Sequence, residues 1–582
     1  MSSLYQPPKR SLINRYFAFL EHRSIGDRII FHTILATVIA SFLFSLLAIN
    51  ERYLSDTPVK GGILIEGLVG TPRFVNPVLA VTRADQDMVA LVYNGLMKID
   101  PLGNLIPDLA ESVILSEDGR QYTVKIRPDV YFHNGDLLTA RDVIYTIGLI
   151  QDSELKSPLQ GNWDGVTVAE INEHELTITT AKPYAPFIEN LTVGILPRGV
   201  WDSIPTEQIP FSQYNTEPIG TNSFYVTEVM RDKTGLINTY KLDAAPHSIN
   251  QPNINSVVLR FYQNEAAVVE ALQAGEIDGT PGLSPDSLAM IELSDFEVLE
   301  LPLPRTFGLF LNQNKSAALL DPAVREALEI MIDRQTLTDT VTGGHGIPTA
   351  SPVPPGFIAL ESSSTPTTST LLLKERVAAA SAVLTKAGWK QNDTDNWEKK
   401  VNKETISLSL TISTSNTELF DATAATITTW WKALGVDVSV NQYEQTDLVQ
   451  AIIRPRNYQV LLFGNDIGRA IDLYPFWHSS QKDDPGLNIT QYTSIEADAY
   501  LKIARTTKSI TERDQAIMAL VTLISKERPA IFLFTPTFTY LLKTGVTHPN
   551  INRLSSPSDR FANIAEWYTS QERLWPIFKN KN

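Results

Sequence analysis

Between Phe132 and Ile147 the chain reads FHNGDLLTARDVIYTI. Histidine and carboxylate side chains this close together are the materials of general acid–base chemistry. Their neighbours point elsewhere. Asn134-Gly135 follows a strand pattern and suits a tight turn, because both residue types tolerate positive φ. Thr139 and Asp142 stand in the S/T-x-x-D/E relation of a helix capping box. Val143, Ile147 and Ile150 then share one helical face. The aspartate therefore has a capping task, the histidine sits at a strand end, and the stretch reads as scaffold.

Other chemistry is sparse. The eight histidines are scattered, and none pair at the spacing of a zinc-binding helix. There is no cysteine, which excludes disulfides, thiolate metal sites, a cysteine nucleophile and lipid attachment through cysteine. No G-x-S-x-G elbow and no P-loop occur. VTGGHG (341–346) lacks the flanking strand and helix of a phosphate loop and reads as a turn. NDTDN (392–396) lacks the turn glycine and final glutamate of a calcium loop, and reads as a hairpin tip between Trp389 and Trp397. The 65 acidic residues offer many pairs, and nothing singles one out for hydrolysis.

The elements that must position any site begin with a membrane signal. Ile29 to Ile49 reads IIFHTILATVIASFLFSLLAI, long enough at ~1.5 Å per residue to span a bilayer core. Lys9, Arg10, Arg15, Arg23 and Arg28 precede it, so the N-terminus is expected in the cytoplasm and the rest outside. The basic region is long and no small-x-small cleavage site follows Ala48, so an uncleaved, single-pass anchor is expected rather than a signal peptide. The net charge of −16 disfavours nucleic acid. With 582 residues, 43% hydrophobic and 20% charged, two or three globular units are expected.

After a polar tether (50–60), short strands and helices mix. GGILIEGLVG (61–70) reads as a first strand, and residues 85–99 show helical spacing. QYTVKIRPDVYF (121–132) alternates, with Tyr122, Val124 and Ile126 on one face. EAAVVEALQAGEID (265–278) is a helix stopped by Gly275, and DPAVREALEIMIDRQTL (321–337) reads as one strong helix. Residues 351–370 read as a long surface loop, 371–387 as a helix, and 419–434 as a helix ended by Gly435 before the strand VDVSV. Trp430-Trp431 is expected to bury a ring against that strand. Such an order argues for α/β lobes with mixed sheets. On these features alone a tethered binding protein and a hydrolase are both open.

A family resemblance narrows this. GGILIEGLVGTPRFVNPVLA (61–80), LVYNGLMKIDPLGNLIPDLAESVILSEDGRQYTVKIRPDVYFHNGDLLTARDVIYTI (91–147), PIGTNSFYV (218–226), AVVEALQAGEID (267–278), LFLNQN (309–314), VREALEIMIDRQTL (324–337), WHSSQKDDPGLNIT (477–490) and RPAIFLFTPTFTY (528–540) occur in this order and spacing. The chain thereby resembles the extracellular solute-binding proteins of ABC transporters, family 5, which handle oligopeptides, dipeptides and nickel. The stretch 109–147 carries the resemblance most strongly, as a structural signature and not a site.

The resemblance implies an α/β, two-lobe periplasmic-binding-protein-like fold of class II with mixed sheets and an extra subdomain, here preceded by one transmembrane helix. The first lobe falls in 61–92, 216–305 and 535–582, the inserted subdomain in 93–215, and the second lobe in 306–534. A cytoplasmic tail (1–28) and the anchor (29–49) precede them. The implied function is capture of oligopeptides by hinge closure and delivery to an ABC permease, by a monomer without catalysis, cofactor or metal. A non-peptide solute (a nickel chelate or an oligosaccharide) and an envelope sensor or scaffold are the alternatives. The ligand lies extended against protein strands, and a buried carboxylate takes its ammonium. That carboxylate falls in LLFGNDIGRAIDLYPFW (461–477), at Asp466. Relatives carry an Asp-Pro-Asp-like run where this chain has Ala470-Ile471-Asp472-Leu473, so Asp472 competes for the role. A loop aspartate capping the next turn is the structural alternative. Tyr93, Asn94, Phe310, Asn312 and Trp477 are cleft candidates, and Arg454 and Arg456 are candidates for a peptide carboxylate. The anchor replaces the lipidated cysteine of many relatives.

Overall fold

In the computed structural model one strand, Ala530–Lys543, serves both halves of the molecule. Its first half pairs antiparallel with Arg305–Leu311, its middle with Gly346–Pro348, and its second half with Phe296–Pro302 and Gly279–Pro281. The residues described are 16–17, 21, 23–358, 371–469, 471–551 and 554–574. Most of the tail expected over 1–28, and residues 359–370 of the expected loop, lie outside them.

The chain divides into two compact units. One comprises residues 1–59 and 570–582, and the other Lys60–Thr569. In the first, a helix runs Ile25–Tyr53, longer than the expected 29–49, capped by Ser24, whose hydroxyl accepts the Asp27 N–H. Hydroxyls of Thr33 and Thr37 donate back to the carbonyls of Ile29 and Thr33, which satisfies these polar groups within the helix. The helix buries no residue, and an 18-residue stretch within it has a mean hydropathy of 2.2, so it is long and apolar enough to cross a membrane. The expected tether is not all coil. Ser55–Pro58 pairs antiparallel with Gln571–Leu574. A four-residue strand ending in proline carries no alternation for a sequence reading to detect.

In the second unit the long strand lies inside a twelve-stranded mixed sheet. On one side of it follow Arg305–Leu311, Val460–Asp466, Ser409–Ser415 and Asp437–Tyr443; on the other Gly279–Pro281, Ile63–Val69, Ser256–Tyr262, Ile237–Ala244 and Phe224–Arg231. A separate antiparallel sheet carries Ala110–Leu115, Gln121–Ile126, Glu175–Thr179 and Thr167–Asn172. Here Tyr122, Val124 and Ile126 are buried and Lys125 is exposed, as their alternation requires. Apolar residues gather in separate cores. One joins Leu64, Leu91, Tyr122, Trp163 and Trp567. Two more flank the sheet of residues 305–534, around Trp431 and around Trp477. The chain passes between these cores at 302–305 and near the middle of Ala530–Lys543.

The stretch 132–147 folds as scaffold. The Gly135 N–H donates to Phe132 O at 2.8 Å, and only Gly135 of the Asn-Gly pair takes positive φ. The N–H and hydroxyl of Thr139 both donate to Asp142 Oδ2 at 2.8 Å, while Asp142 Oδ1 accepts the Arg198 N–H. The imidazole of His133 accepts the Gly220 N–H at Nδ1 and donates from Nε2 to Asn222 O. Its burial pushes the pKa down to about 4, so it is a neutral stitch between segments.

Two helical expectations are corrected. The helix within 85–99 is Arg83–Val92 and stops at Tyr93, after which Met97–Ile99 is a strand. A Cβ on Gly95 would lie 2.6 Å from the Thr192 carbonyl, a close approach that leaves no room for a side chain. Residues 321–337 form parts of two helices, Pro322–Ile330 and Arg334–Thr342, because Asp333 caps the second through the Thr336 N–H. The later helices are Leu373–Lys386 and Glu418–Leu434, the latter ending on left-handed Gly435 at φ 92°. Both Trp430 and Trp431 are buried, and Trp431 donates to Leu328 O.

Candidate functional site

Several segments line a cleft of about 1210 Å³. Helix Arg83–Val92 and the residue after it supply Gln86, Val89, Ala90 and Tyr93. The segment after the four-stranded sheet supplies Tyr184 and Phe187. The opposite wall comes from the end of strand Val460–Asp466 and the loop after it, with Arg505 from helix Ile495–Thr506. Ser558 and Asp559 close it near the C-terminal part of the unit.

Across this cleft the walls touch through polar and aromatic contacts. Asp472 Oδ2 accepts from Tyr184 Oη and from Arg505, both at 3.1 Å. The Arg505 guanidinium lies 4.3 Å from the Tyr474 ring centre and 4.8 Å from that of Tyr184, a cation–π arrangement. Burial and the Asp472 charge raise the Tyr184 pKa, so its hydroxyl keeps its proton and donates it. Arg469 pairs with Asp559 at 2.8 Å. Lys508 Nζ donates to the carbonyls of Ser116 and Glu117, both at 2.6 Å.

Behind Ser558 lies a fully buried charge cluster. Arg560 donates from two nitrogens to Asp87 and from Nε to Glu66, and all three side chains have no exposure. Asp87 also accepts from Ser558. One guanidinium thus faces two carboxylates. Glu66 receives the single contact, and burial raises its pKa to about 7.

A second, smaller chamber of about 380 Å³ adjoins the cleft. Tyr93, Thr192, Arg469 and Asp559 line both. Its own wall carries Asn94, Asn222, Asn250, Asn253 and Asn563 and the Lys98–Asp108 ion pair of 3.4 Å.

The residues expected at the site divide. Tyr93, Asp466 and Asp472 line the cleft, while Asn94 lines the smaller chamber. Asp466 was expected to be buried and is not. Its side chain is about half exposed, pairs with Arg305 at 3.0 Å and accepts the Gly468 N–H, because it ends its strand at the cleft rim. Asp472 is the more buried carboxylate, at 12% exposure, and also caps the following turn through the Tyr474 N–H. Ala470 of the same run lies outside the described residues. Asn94 donates to Asp108 at 2.6 Å and accepts from Thr221, so it is committed within the wall.

Phe310, Asn312 and Trp477 are not brought to the cleft. Arg305 opposite Asp466 marks the rim, and Leu311 opposite Val460 marks the far end of the same strand pair. Phe310 and Asn312 therefore sit about 17–24 Å along the strand from the rim. Phe310 is in the core, and Asn312 donates to Arg456 O. Trp477 packs against Tyr492 and Phe532. Arg454 pairs with Asp484 at 3.8 Å, and Arg456 donates to the carbonyls of Ile453, Lys482 and Gly486. Tyr184, Tyr474, Arg469, Arg505 and Asp559 were not anticipated. None stands in a spaced motif. Among the described residues no group of three His, Asp or Glu side chains has the geometry of a metal site.

Two lobes with mixed sheets, joined by few strands around a cleft of this size, define the periplasmic-binding-protein-like fold of extracytoplasmic solute-binding proteins. Residues 104–485 match the family described as bacterial extracellular solute-binding proteins, family 5 (middle), and the chain belongs to it. This is a family of binding proteins and not of enzymes. The chain is 25% identical over 489 residues to the oligopeptide-binding protein AppA of Bacillus subtilis, covering 82% of this chain and 87% of that protein. The AppA structure with a nonapeptide has a TM-score of 0.62 at 23% identity, covering 88% of this chain and 100% of that one. The fold is also similar to MppA, a periplasmic murein tripeptide binding protein in an unliganded open form, with a TM-score of 0.74, 20% identity, and 88% and 98% of the two chains covered. NikZ of Campylobacter jejuni in complex with Ni(L-His) has a TM-score of 0.62 at 22% identity, covering 87% and 99%.

Proposed function

We propose that this chain is a membrane-tethered solute-binding protein that captures extended peptides in its cleft and passes them to an ABC permease. The size of the cleft carries this reading. Sites for small ligands span roughly 300–1,000 Å³, and this cleft, at about 1210 Å³, exceeds that range. The likeness to the Bacillus oligopeptide-binding protein supports peptides over smaller solutes. The apolar helix Ile25–Tyr53 serves as an uncleaved single-pass anchor with the N-terminus in the cytoplasm. Tethering raises the effective concentration of the binding unit near the permease.

In this reading the first lobe is built from 61–92, 216–305 and the segment from 535 onward, and carries the insertion 93–215. It closes on the second lobe, 306–534, by bending at 302–305 and near the middle of Ala530–Lys543. Asp466 at the rim takes the ligand ammonium, either bridging it and Arg305 or releasing Arg305.

The test is native mass spectrometry of the full chain, purified gently from its host in detergent. Co-purifying masses that sequence as mixed peptides are expected. One non-peptide mass, or a cleft that no peptide pool stabilises against heat, overturns the peptide reading in favour of another solute or a sensor.

A further inference from the structure

The helix Ile25–Tyr53 does not end in a loose tether. The Leu54 N–H closes its last turn on Asn50 O at 3.0 Å, and the chain then enters the strand Ser55–Pro58. That strand pairs antiparallel with Gln571–Leu574, and the Val59 N–H extends the ladder to Ser570 O at 3.0 Å. The register sets Gln571 opposite Pro58 and Leu574 opposite Ser55. The second strand therefore runs back toward the end of the helix. Whatever follows Leu574 starts two residues from Tyr53 along the partner strand.

The depth of this point follows from the helix. Its apolar run stops at Ile49. Asn50 to Tyr53 add about 6 Å at ~1.5 Å per residue, and the headgroup layer on each side of the hydrocarbon is about 5–8 Å deep. With the apolar run in the hydrocarbon, Tyr53 reaches the outer headgroup layer and the strand pair begins at its edge. A ribbon of four residues a side is marginal in water. Pro58, Gln571 and Glu572 are exposed, so the rest of the protein does not cover it. The lower dielectric of a membrane surface strengthens such backbone pairs. From Arg573 on, the sequence is RLWPIFKNKN, with three cations, no acid, and Leu574, Trp575, Ile577 and Phe578 together. Aromatic and aliphatic side chains flanked by cations suit the boundary between headgroups and hydrocarbon. A solvated strand end gives no reason for a tryptophan and a phenylalanine so close together.

We propose that, with Ile25–Tyr53 retained as the anchor, the strand pair is a collar at the membrane surface, and that the segment from Leu574 to Lys581 is a second attachment, seated in the headgroup layer of an anionic bilayer. Trp575 and Phe578 enter the boundary beneath the headgroups, and Lys579 and Lys581 meet the lipid phosphates. Two chains, at 59–60 and at 569–570, then join the binding unit to the membrane, which confines it more than one flexible tether would.

The experiment uses the full chain in vesicles of phosphatidylcholine and phosphatidylglycerol. The chain has no cysteine, so every introduced thiol is unique. Ser55→Cys with Leu574→Cys tests the collar, since opposed residues of an antiparallel pair lie about 4.5–5.5 Å apart at Cα, within disulfide reach. Asn580→Cys, carrying an environment-sensitive fluorophore, tests the attachment. Lys403→Cys, on an exposed turn of the binding unit, is the reference. Mild oxidation is expected to join the cysteine pair. Lipids spin-labelled at the headgroup are expected to quench most of the emission at 580 and little at 403. Trp575→Ser with Phe578→Ser is expected to remove most of that quenching. A pair that does not join overturns the collar, and with it the attachment. A joined pair with no more quenching at 580 than at 403 overturns the attachment alone, and quenching that survives the double serine variant overturns its assignment to the two rings. The intact mass of the purified protein separates these results from a failure of the anchor reading. A chain that lacks the helix overturns anchor and attachment together, whereas full mass leaves the anchor standing whatever the label reports.

Discussion

Arg505 donates to Asp472 at 3.1 Å while its guanidinium is held between the rings of Tyr474 and Tyr184. The pair joins helix Ile495–Thr506 to the segment after the four-stranded sheet through the Tyr184 hydroxyl. Both carboxylates expected to meet a ligand are thus paired by the protein, Asp472 with Arg505 and Asp466 with Arg305.

Arg505→Met removes the cation and leaves Asp472 largely buried beside it. Stability should fall by about 1–3 kcal/mol. Tyr184→Phe removes one hydrogen bond, keeps the ring stack, and should cost about 1 kcal/mol or less. Urea unfolding of both variants and of the double variant measures this. A double variant whose loss equals the sum of the singles would show that the three groups do not act as one cluster.

Asp466→Ala should weaken a free-amine peptide about tenfold or more and leave its N-acetylated counterpart unchanged. Arg305→Met should act in the opposite direction, because it removes the cation that now pairs with Asp466 at 3.0 Å. Calorimetry with the two peptides separates the outcomes. Equal losses for both would remove Asp466 from the ammonium site and leave Asp472.

Glu66 imposes a pH dependence of unusual sign for a carboxylate. Its pKa is raised from 4.5 to about 7 in the fold, so the folded state holds a proton that the unfolded chain has released. This contribution is full below about pH 4.5 and is lost as pH rises through about 7, with a slope of up to about 1.4 kcal/mol per pH unit. Glu66→Gln should abolish that loss, while Arg560→Met, which leaves Asp87 buried without its cation, should cost about 3–5 kcal/mol. Unfolding midpoints across this range provide the check, and a Gln variant with the parental slope would count against it.

His133 works in the other direction over part of the same range. Its pKa is lowered from 6.5 to about 4, so folding keeps it neutral where the unfolded chain charges. Its contribution is full above about pH 6.5 and is lost as pH falls through about 4. His133→Asn should flatten the acid limb and leave the alkaline side unmoved. If acid stability of the variant tracks the parent, the imidazole is not the titrating group.

Local order was legible where one residue carries one physical demand. Tyr122, Val124 and Ile126 alternate because one face of their strand is buried. Thr139 and Asp142 cap because both face the same helix start. Asp333 was harder, since at its spacing it reads equally as the polar face of one helix or the cap of a second. Phe310 and Asn312 were expected at the cleft because a strand has two ends, and only its pairing tells which end opens on the ligand. Arg469, Arg505, Tyr184 and Asp559 come from segments far apart in the chain, and their meeting depends on how the walls face each other. That information is not local.

The strand Ala530–Lys543 also bears on when the protein can fold. The sheets on either side of it both lack a member until this late segment has been made and moved across the membrane. Neither core can be sealed early, and the exposed strand edges stay unpaired for most of synthesis. Both halves then complete together, through contacts of very long sequence separation, which makes for slow folding and a long dependence on whatever shields nascent chains outside the membrane.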